Sequence, residues 1–267
     1  MAGTLKIKGI VLRETRTKES DRIVTVLSRE MGIINIYARR ALRLKNRNNR
    51  ATGLFCYSEF VVFEHRSSDL YTLNEATVLH AFHEISSQIE YLALAMYMSE
   101  LVREVTVPGE MSEEILRLFL NTLHMMTSGK WKPALCKAAF EMRLMSDTGF
   151  RPDLVACNEC GAYEADGFRF DVSDGTITCL ECRERTGKRG MPAPMPVVMA
   201  LRYLAYADLD RMFGFTLSDG YLEPLGRITE RYVMVHTDKT YPTLDFYRTI
   251  ADDHGEDQIE REKPQID

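Results

Sequence analysis

The chain has 267 residues, 45% hydrophobic and 27% charged, with a formal net charge of −5. That balance fits an ordinary globular protein of one large or two to three small domains. No apolar run approaches a membrane span, and the charge-rich first twenty residues exclude a secretory leader, so a cytoplasmic protein is expected. The net charge hides an asymmetry. Residues 1–50 hold 13 Lys/Arg against four acids, a net of +9, while the rest hold 21 against 35, a net of −14. A basic first fifth on an acidic chain points to nucleic acid as partner, with a solvated basic face as the plainer alternative.

Residues 5–74 read as short strands. Leu5-Lys6-Ile7-Lys8 alternates, Gly9 interrupts where a bulge or barrel corner would sit, and Ile10-Val11-Leu12 is continuously apolar. Ile23–Leu27, Ile33–Ala38, Phe60–Phe63 and Leu70–Leu73 follow. Five short strands in this span predict a small closed barrel, and the OB-fold is the five-stranded barrel that binds nucleic acid. From Glu75 the period lengthens. Apolar stripes predict helices over Ile85–Val105, from Ser112 to Met126, over Ala134–Met145, Val197–Leu209 and Leu222–Val235. Such stripes are core surfaces before they are ligand sites. Met191–Pro196 reads as a stiff connector, and 251–267, with seven acids, as a disordered tail. The expected organisation is a barrel domain over 1–80, an α-helical domain from 81–150 and 191–250, a zinc ribbon inserted at 151–190, and the acidic tail.

The ribbon follows from four cysteines. Cys157-Asn158-Glu159-Cys160 and Cys179-Leu180-Glu181-Cys182 are two Cys-x-x-Cys knuckles with 18 residues between them. Each presents two thiolates from one tight turn, and together they supply the four ligands of tetrahedral zinc. Gly167–Val172 alternates, Asp174-Gly175 is a hairpin turn, and Thr176–Thr178 leads back to the second pair. A redox dithiol needs only one pair, and disulfides suit an oxidising compartment. A closed four-thiolate site leaves no place for a reacting water, so one structural Zn²⁺ is expected. Cys56 and Cys136 stand alone in apolar surroundings, as buried thiols do.

Arg39, Arg40, Arg43, Lys45, Arg47 and Arg50 form a loop with six cations and no anion, between the third and fourth strands. Beside a barrel face such a loop would lie along a phosphate backbone, gripping it through bidentate guanidinium groups. Lys6, Lys8, Arg13, Arg16, Lys18 and Arg22 add charge on or near the first two strands. Tyr37, Phe55, Tyr57 and Tyr71 are the aromatics that could stack on bases, although packing is the commoner use. No base-reading motif is present, so binding should be insensitive to sequence and sensitive to salt.

Gly9-Ile10-Val11-Leu12-Arg13, Glu19–Val24, Ala38-Arg39-Arg40, Leu70–Ala76, Phe140–Leu144 and Gly149–Leu154 running into Cys157 and Cys160 occur in an order that resembles the RecO family of bacterial recombination mediators, over nearly the whole chain. The chain departs from that family's pattern at Arg40, where glycine is frequent, at Leu42, where a cation is usual, and at Arg183. The resemblance implies an OB domain, a helical domain and a zinc ribbon. It implies binding and annealing of single- and double-stranded DNA, association with RecR and with the C-terminal tail of single-strand-binding protein, and help in loading RecA. It also implies a nucleoid-associated place in the cytoplasm. DNA contact falls on the strand cations and the 39–50 loop, and metal binding on the four knuckle cysteines. The tail-binding pocket is expected among the helices, with an apolar floor and a rim cation drawn from Lys130, Lys132, Lys137 or Arg143.

An enzyme is the rival class. A nucleic-acid deaminase needs His-x-Glu before Pro-Cys-x-x-Cys. The one His-x-Glu here, His254-Gly255-Glu256, follows both pairs, and neither pair follows proline. A nuclease needs clustered carboxylates, and here they are dispersed. A zinc-ribbon factor of transcription or translation is the remaining alternative. The expected protein is not an enzyme.

Overall fold

The structure, a computed structural model, describes residues 3–43, 45–65 and 68–261, with backbone alone over 252–261. Two compact units result. One comprises 1–117 with the C-terminal segment from 241, and the other comprises 118–240.

Five strands close the N-terminal barrel: β1 (Thr4–Arg16), β2 (Arg22–Ser28), β3 (Gly32–Ala38), β4 (Cys56–His65) and β5 (Ser68–Ala81). A short helix, α1 (Asn48–Ala51), lies between β3 and β4. The strand order is β1-β2-β3-β5-β4, with β4 paired back onto β1. Every pairing is antiparallel except β3 with β5, which runs parallel from Asn35↔Leu70 to Tyr37↔Thr72. This is the OB arrangement expected from the strand pattern. Alternation drives it: Val24 and Val26 of β2 and Ile34 and Ile36 of β3 point inward onto Val11, Phe60 and Val62.

Gly9 is required by close approach, because a Cβ there would stand 2.5 Å from the Leu27 carbonyl oxygen. The bulge itself lies further on. The β1–β2 register slips between Val11 and Arg13, which makes Leu12 the extra residue. Two expected boundaries also move. β1 is one strand and not two, and β5 continues past Glu75 because β4 pairs with it as far as Cys56↔Ala81.

In the first unit the barrel is followed by α2 (His83–Ser87), α3 (Ile89–Val105) and the start of α4 (Glu113–Thr127). The single helix expected over 85–105 is broken at Gln88, whose backbone is extended at φ −125° and ψ 121°. The last helix, here α10 (Pro242–Arg261), returns to pack on α3, where Tyr97 and Tyr241 meet edge to face with centroids 5.7 Å apart. The first unit therefore extends beyond residue 80 and recruits helices that the sequence pattern assigned elsewhere. The disordered tail read from 251 differs too, since the backbone stays helical to Arg261; residues 262–267 lie outside the described residues.

The second unit holds α5 (Pro133–Asp147), the ribbon strands β6 (Phe168–Asp171) and β7 (Thr176–Cys179), α6 (Leu180–Thr186), β8 (Met191–Ala193), α7 (Met195–Tyr206), α8 (Leu209–Met212) and α9 (Leu222–Thr237). Residues Leu135–Ser146 of α5 are all buried, so this helix is the unit's core. The stiff connector at 191–196 is partly a strand: β8 pairs with β6 and makes a sheet in the order β7-β6-β8. Pro192 is tolerated because β8 is an edge.

Candidate functional site: a cationic barrel face and a four-cysteine centre

The basic loop is braced at both ends. Asp21, at the start of β2, accepts hydrogen bonds from the Tyr37 hydroxyl and, at 2.7 Å, from the Arg40 N–H. These two donors, the tyrosine first, hold the Asp21 carboxyl below its ordinary pKa. Arg40 itself sits in the left-handed region at φ 55°. A glycine at this position would adopt that backbone freely. Asparagines then tie the loop together. Asn46 Nδ2 donates to the Arg40 carbonyl at 3.0 Å, Asn49 Nδ2 to the Ala41 carbonyl at 2.7 Å, and Asn48 Oδ1 accepts from the Ala76 N–H at 3.1 Å. The loop is thus a shaped structure, not a loose polycation.

Lys18, Arg39 and Arg40 come together around one cleft, of about 550 Å³, floored by Asp21 and Tyr37. Arg16, Arg43 and Lys45 are exposed on the same strands and loop, and Lys8 and Arg13 are exposed on β1. None of these eight cations has an ion pair among the described residues, so all can turn to an external anion. Lys6 pairs with Glu59 at 2.8 Å and Arg47 with Glu75 at 3.2 Å, both at the surface, where such pairs are worth about 0–1 kcal/mol and open readily. Arg50 lies 2.7 Å from His83 Nε2.

Arg22 must be removed from the expected set. It is 4% exposed, bonded through Nη1 to Glu14 at 2.6 Å and through Nη2 to the Asn49 carbonyl. It bridges β1, β2 and the basic loop from inside, because its position on β2 faces the α1 segment and not solvent. Among the aromatics, Phe55 is core, Tyr37 is half-buried on Asp21, and Tyr57 and Tyr71 are half-buried, with burial raising both phenol pKa values.

In the ribbon the four ligand atoms of Cys157, Cys160, Cys179 and Cys182 all lie within 4.8 Å of one another. Cys160 Sγ and Cys179 Sγ are 3.8 Å apart, too far for a disulfide. Two thiolates on one tetrahedral zinc, each at about 2.3 Å, stand about 3.8 Å apart. The backbone prepares the site for anionic sulfur. Cys179 N–H donates to Cys157 Sγ at 3.3 Å, Cys182 N–H to Cys179 Sγ at 3.5 Å, and Arg185 Nη2 to Cys182 Sγ at 3.3 Å. Burial opposes the Cys157 thiolate, but the N–H groups of Cys179, Cys160 and Glu159 outweigh it and bring its pKa down to about 6. Burial and the neighbouring thiols push Cys182 up to about 12. Four sulfurs cannot all ionise side by side without a cation among them. The donor set fits a metal ion and can hold one.

Of the four helical-unit cations considered for a rim, two are consumed inside. Lys137 meets Glu141 at 2.9 Å and Glu230 at 2.9 Å, and Arg143 pairs with Asp147 at 2.8 Å. Lys132 pairs with Asp219 at the surface, at 2.7 Å. The same unit carries an apolar cleft of about 340 Å³ lined by Val155, Tyr163, Met199, Arg202 and Tyr206, a feature no sequence pattern marked.

Comparison with known families agrees with this architecture. The model of the Recombination protein O N-terminal domain matches residues 1–82, and that of the C-terminal domain matches 86–245. A DNA repair protein RecO of Acetivibrio thermocellus is 33% identical over 92% of this chain and 97% of its own length. Those of Desulforudis audaxviator and Alkaliphilus metalliredigens are 30% and 29% identical, over 91% and 88% of this chain and 96% and 94% of their own. With both domain models matched in order and across most of its length, the chain belongs to the RecO family.

Proposed function

We propose that the protein is a non-enzymatic mediator of DNA gap and break repair. It binds single- and double-stranded DNA, anneals complementary strands and, with RecR, helps load RecA onto DNA coated by single-strand-binding protein. The observation that carries this reading is the ordered cationic face of the barrel: eight cations with no ion pair among the described residues, three of them around one cleft. Neutralising phosphates releases condensed counterions, which supplies affinity without base recognition. A surface of this kind can hold two backbones near each other, and annealing needs no bond to be made or broken.

The four-cysteine centre holds one structural Zn²⁺ through Cys157, Cys160, Cys179 and Cys182. Zinc there would fix the two knuckles and the β6–β7 hairpin. The acidic, apolar-ended tail of single-strand-binding protein docks in the second unit, and the Val155–Tyr163–Met199–Tyr206 cleft supports this. Its side chains are unusually open for their size, at 56%, 51%, 46% and 41% exposure.

The test is an annealing assay on DNA coated with cognate single-strand-binding protein, with and without that protein's last few residues. Duplex formation that depends on the tail supports the mediator reading. Scission of labelled DNA in magnesium without ATP would replace it with an enzyme.

A further inference from the structure

A second cleft in the first unit is not part of the basic loop. It has a volume of about 540 Å³ and is formed by Leu12, Arg13 and Glu14 of β1, Leu54, one face of α3 and the start of α10. Met96, Ser99, Glu100 and Arg103 lie on that face at helical spacing, so one stripe of α3 looks across the cleft at β1. The bulge at Leu12 brings Leu12 and Arg13 to the same rim.

The charges in this cleft are unequally committed. Glu14 is bonded to Arg22 at 2.6 Å and to the Leu54 N–H, and Glu100 accepts from the Thr243 hydroxyl. Arg13 and Arg103 have no ion pair or hydrogen bond among the described residues. Arg103 is half-buried, and burial first, then the like charge of Arg13, push its guanidinium below its ordinary pKa against the opposing pull of Glu100 and Glu104. Glu100 and Glu104 act on Arg103 through their field but neither bonds it, so its N–H donors stay open to an anion. Beside the two guanidinium groups stand Leu12, Leu54 and Met96, the last 40% exposed. The cleft therefore pairs an anion-binding edge with an apolar wall.

We propose that this cleft is a nucleotide subsite for single-stranded DNA, in which Arg13 and Arg103 hold one phosphodiester and the adjacent base lies against Leu12, Leu54 and Met96. It deepens the nucleic-acid reading above and rests on it. It also assigns a DNA contact to a helix outside the barrel. A phosphate shared between two arginines relieves their mutual repulsion, so each is worth more with the other present. A base without a partner offers a face for an apolar wall, whereas a base in a duplex does not. The subsite thus selects single strands.

The test compares wild-type full-length protein, Arg103→Gln and the triple variant Arg39→Glu, Arg40→Glu, Arg43→Glu in binding a thymidine oligomer across a salt series. Arg103→Gln should lower affinity roughly three- to tenfold at low salt and flatten the log–log salt slope by about 0.7, with affinity for a blunt duplex changed less. Arg103→Gln binding as wild type does, with the triple variant impaired, would overturn the subsite and leave the nucleic-acid reading intact. A wild-type protein that ignores the oligomer would overturn both. A second measurement needs no variant. An oligomer carrying 5-iodouracil, cross-linked to the wild-type chain by light, should label the peptide containing Met96. Labelling confined to peptides from residues 39–50 would overturn the proposal.

Discussion

The outer face of the barrel and the core of the second unit treat their cations in opposite ways. In the barrel unit Lys18, Arg39, Arg40 and Arg43 stand in water with no partner among the described residues. In the second unit Lys137 and Arg143 are 7% and 10% exposed at the side chain and locked onto carboxylates. Arg202 is equally committed, donating to the Leu154 carbonyl at 2.6 Å and the Tyr163 carbonyl at 2.8 Å while its guanidinium lies 4.0 Å above the Tyr163 ring. The lesson is that a count of Lys and Arg says little about charge on offer. A cation on a barrel surface with no carboxylate in reach keeps its field for a partner. A cation with an acid one helical turn away and a core around it becomes a fastener.

The contrast can be broken or sharpened experimentally, beginning with the largest effect. Removing metal with a strong chelator, or making Cys157→Ser, should unfold the ribbon; four-cysteine zinc sites contribute about 10 kcal/mol or more to small domains. Zinc release and loss of ribbon amide protection in hydrogen exchange would register this, with DNA affinity nearly unchanged. A large loss of DNA binding on chelation would break the contrast. Next, Glu141→Ala leaves the buried Lys137 ammonium with Glu230 alone and takes away one acceptor of the Thr229 hydroxyl. It should cost about 3–5 kcal/mol in urea unfolding.

The triple glutamate variant at Arg39, Arg40 and Arg43 should lose roughly two decades of low-salt DNA affinity while its melting temperature stays put, because none of the three fastens anything. Arg22→Gln should do the reverse. We expect about 2–3 kcal/mol of lost stability in chemical denaturation, with the salt slope of DNA binding little altered. The smallest effect is at Asp21. Its folded pKa lies below the unfolded value of about 3.9, so its contribution is complete above about pH 4 and is lost as pH falls through the lowered folded value. Asp21→Asn should remove that part of the acid limb in a melting-temperature profile.

How much of this was legible in the residues depends on how local the cause is. The clustering of the four cysteines was legible, since two Cys-x-x-Cys knuckles and a returning hairpin carry their geometry in their spacing. The barrel was legible from alternation, but of the two readings at Gly9, a bulge or a barrel corner, the bulge lies instead at Leu12, and Gly9 answers to close approach. Arg22 was misread because burial on β2 depends on Asn49, 27 positions away. The internal pairs of Lys137 and Arg143 had a signal, Glu141 and Asp147 at i+4, and that spacing identifies them as structural. The bracing asparagines also had one, since a run such as Asn46-Arg47-Asn48-Asn49 favours side-chain bonds to nearby backbone. The apolar cleft of the second unit and the Arg13–Arg103 cleft had none. Each joins residues from segments that no period links.

One feature of the barrel reaches beyond binding. Because β3 and β5 run side by side from Asn35↔Leu70 to Tyr37↔Thr72, the described strands close into a cylinder. Closure leaves little free strand border on which a partner chain or a second copy could add a strand of its own. Recognition at the barrel therefore falls chiefly to side chains and loops, and edge-to-edge association between copies is disfavoured.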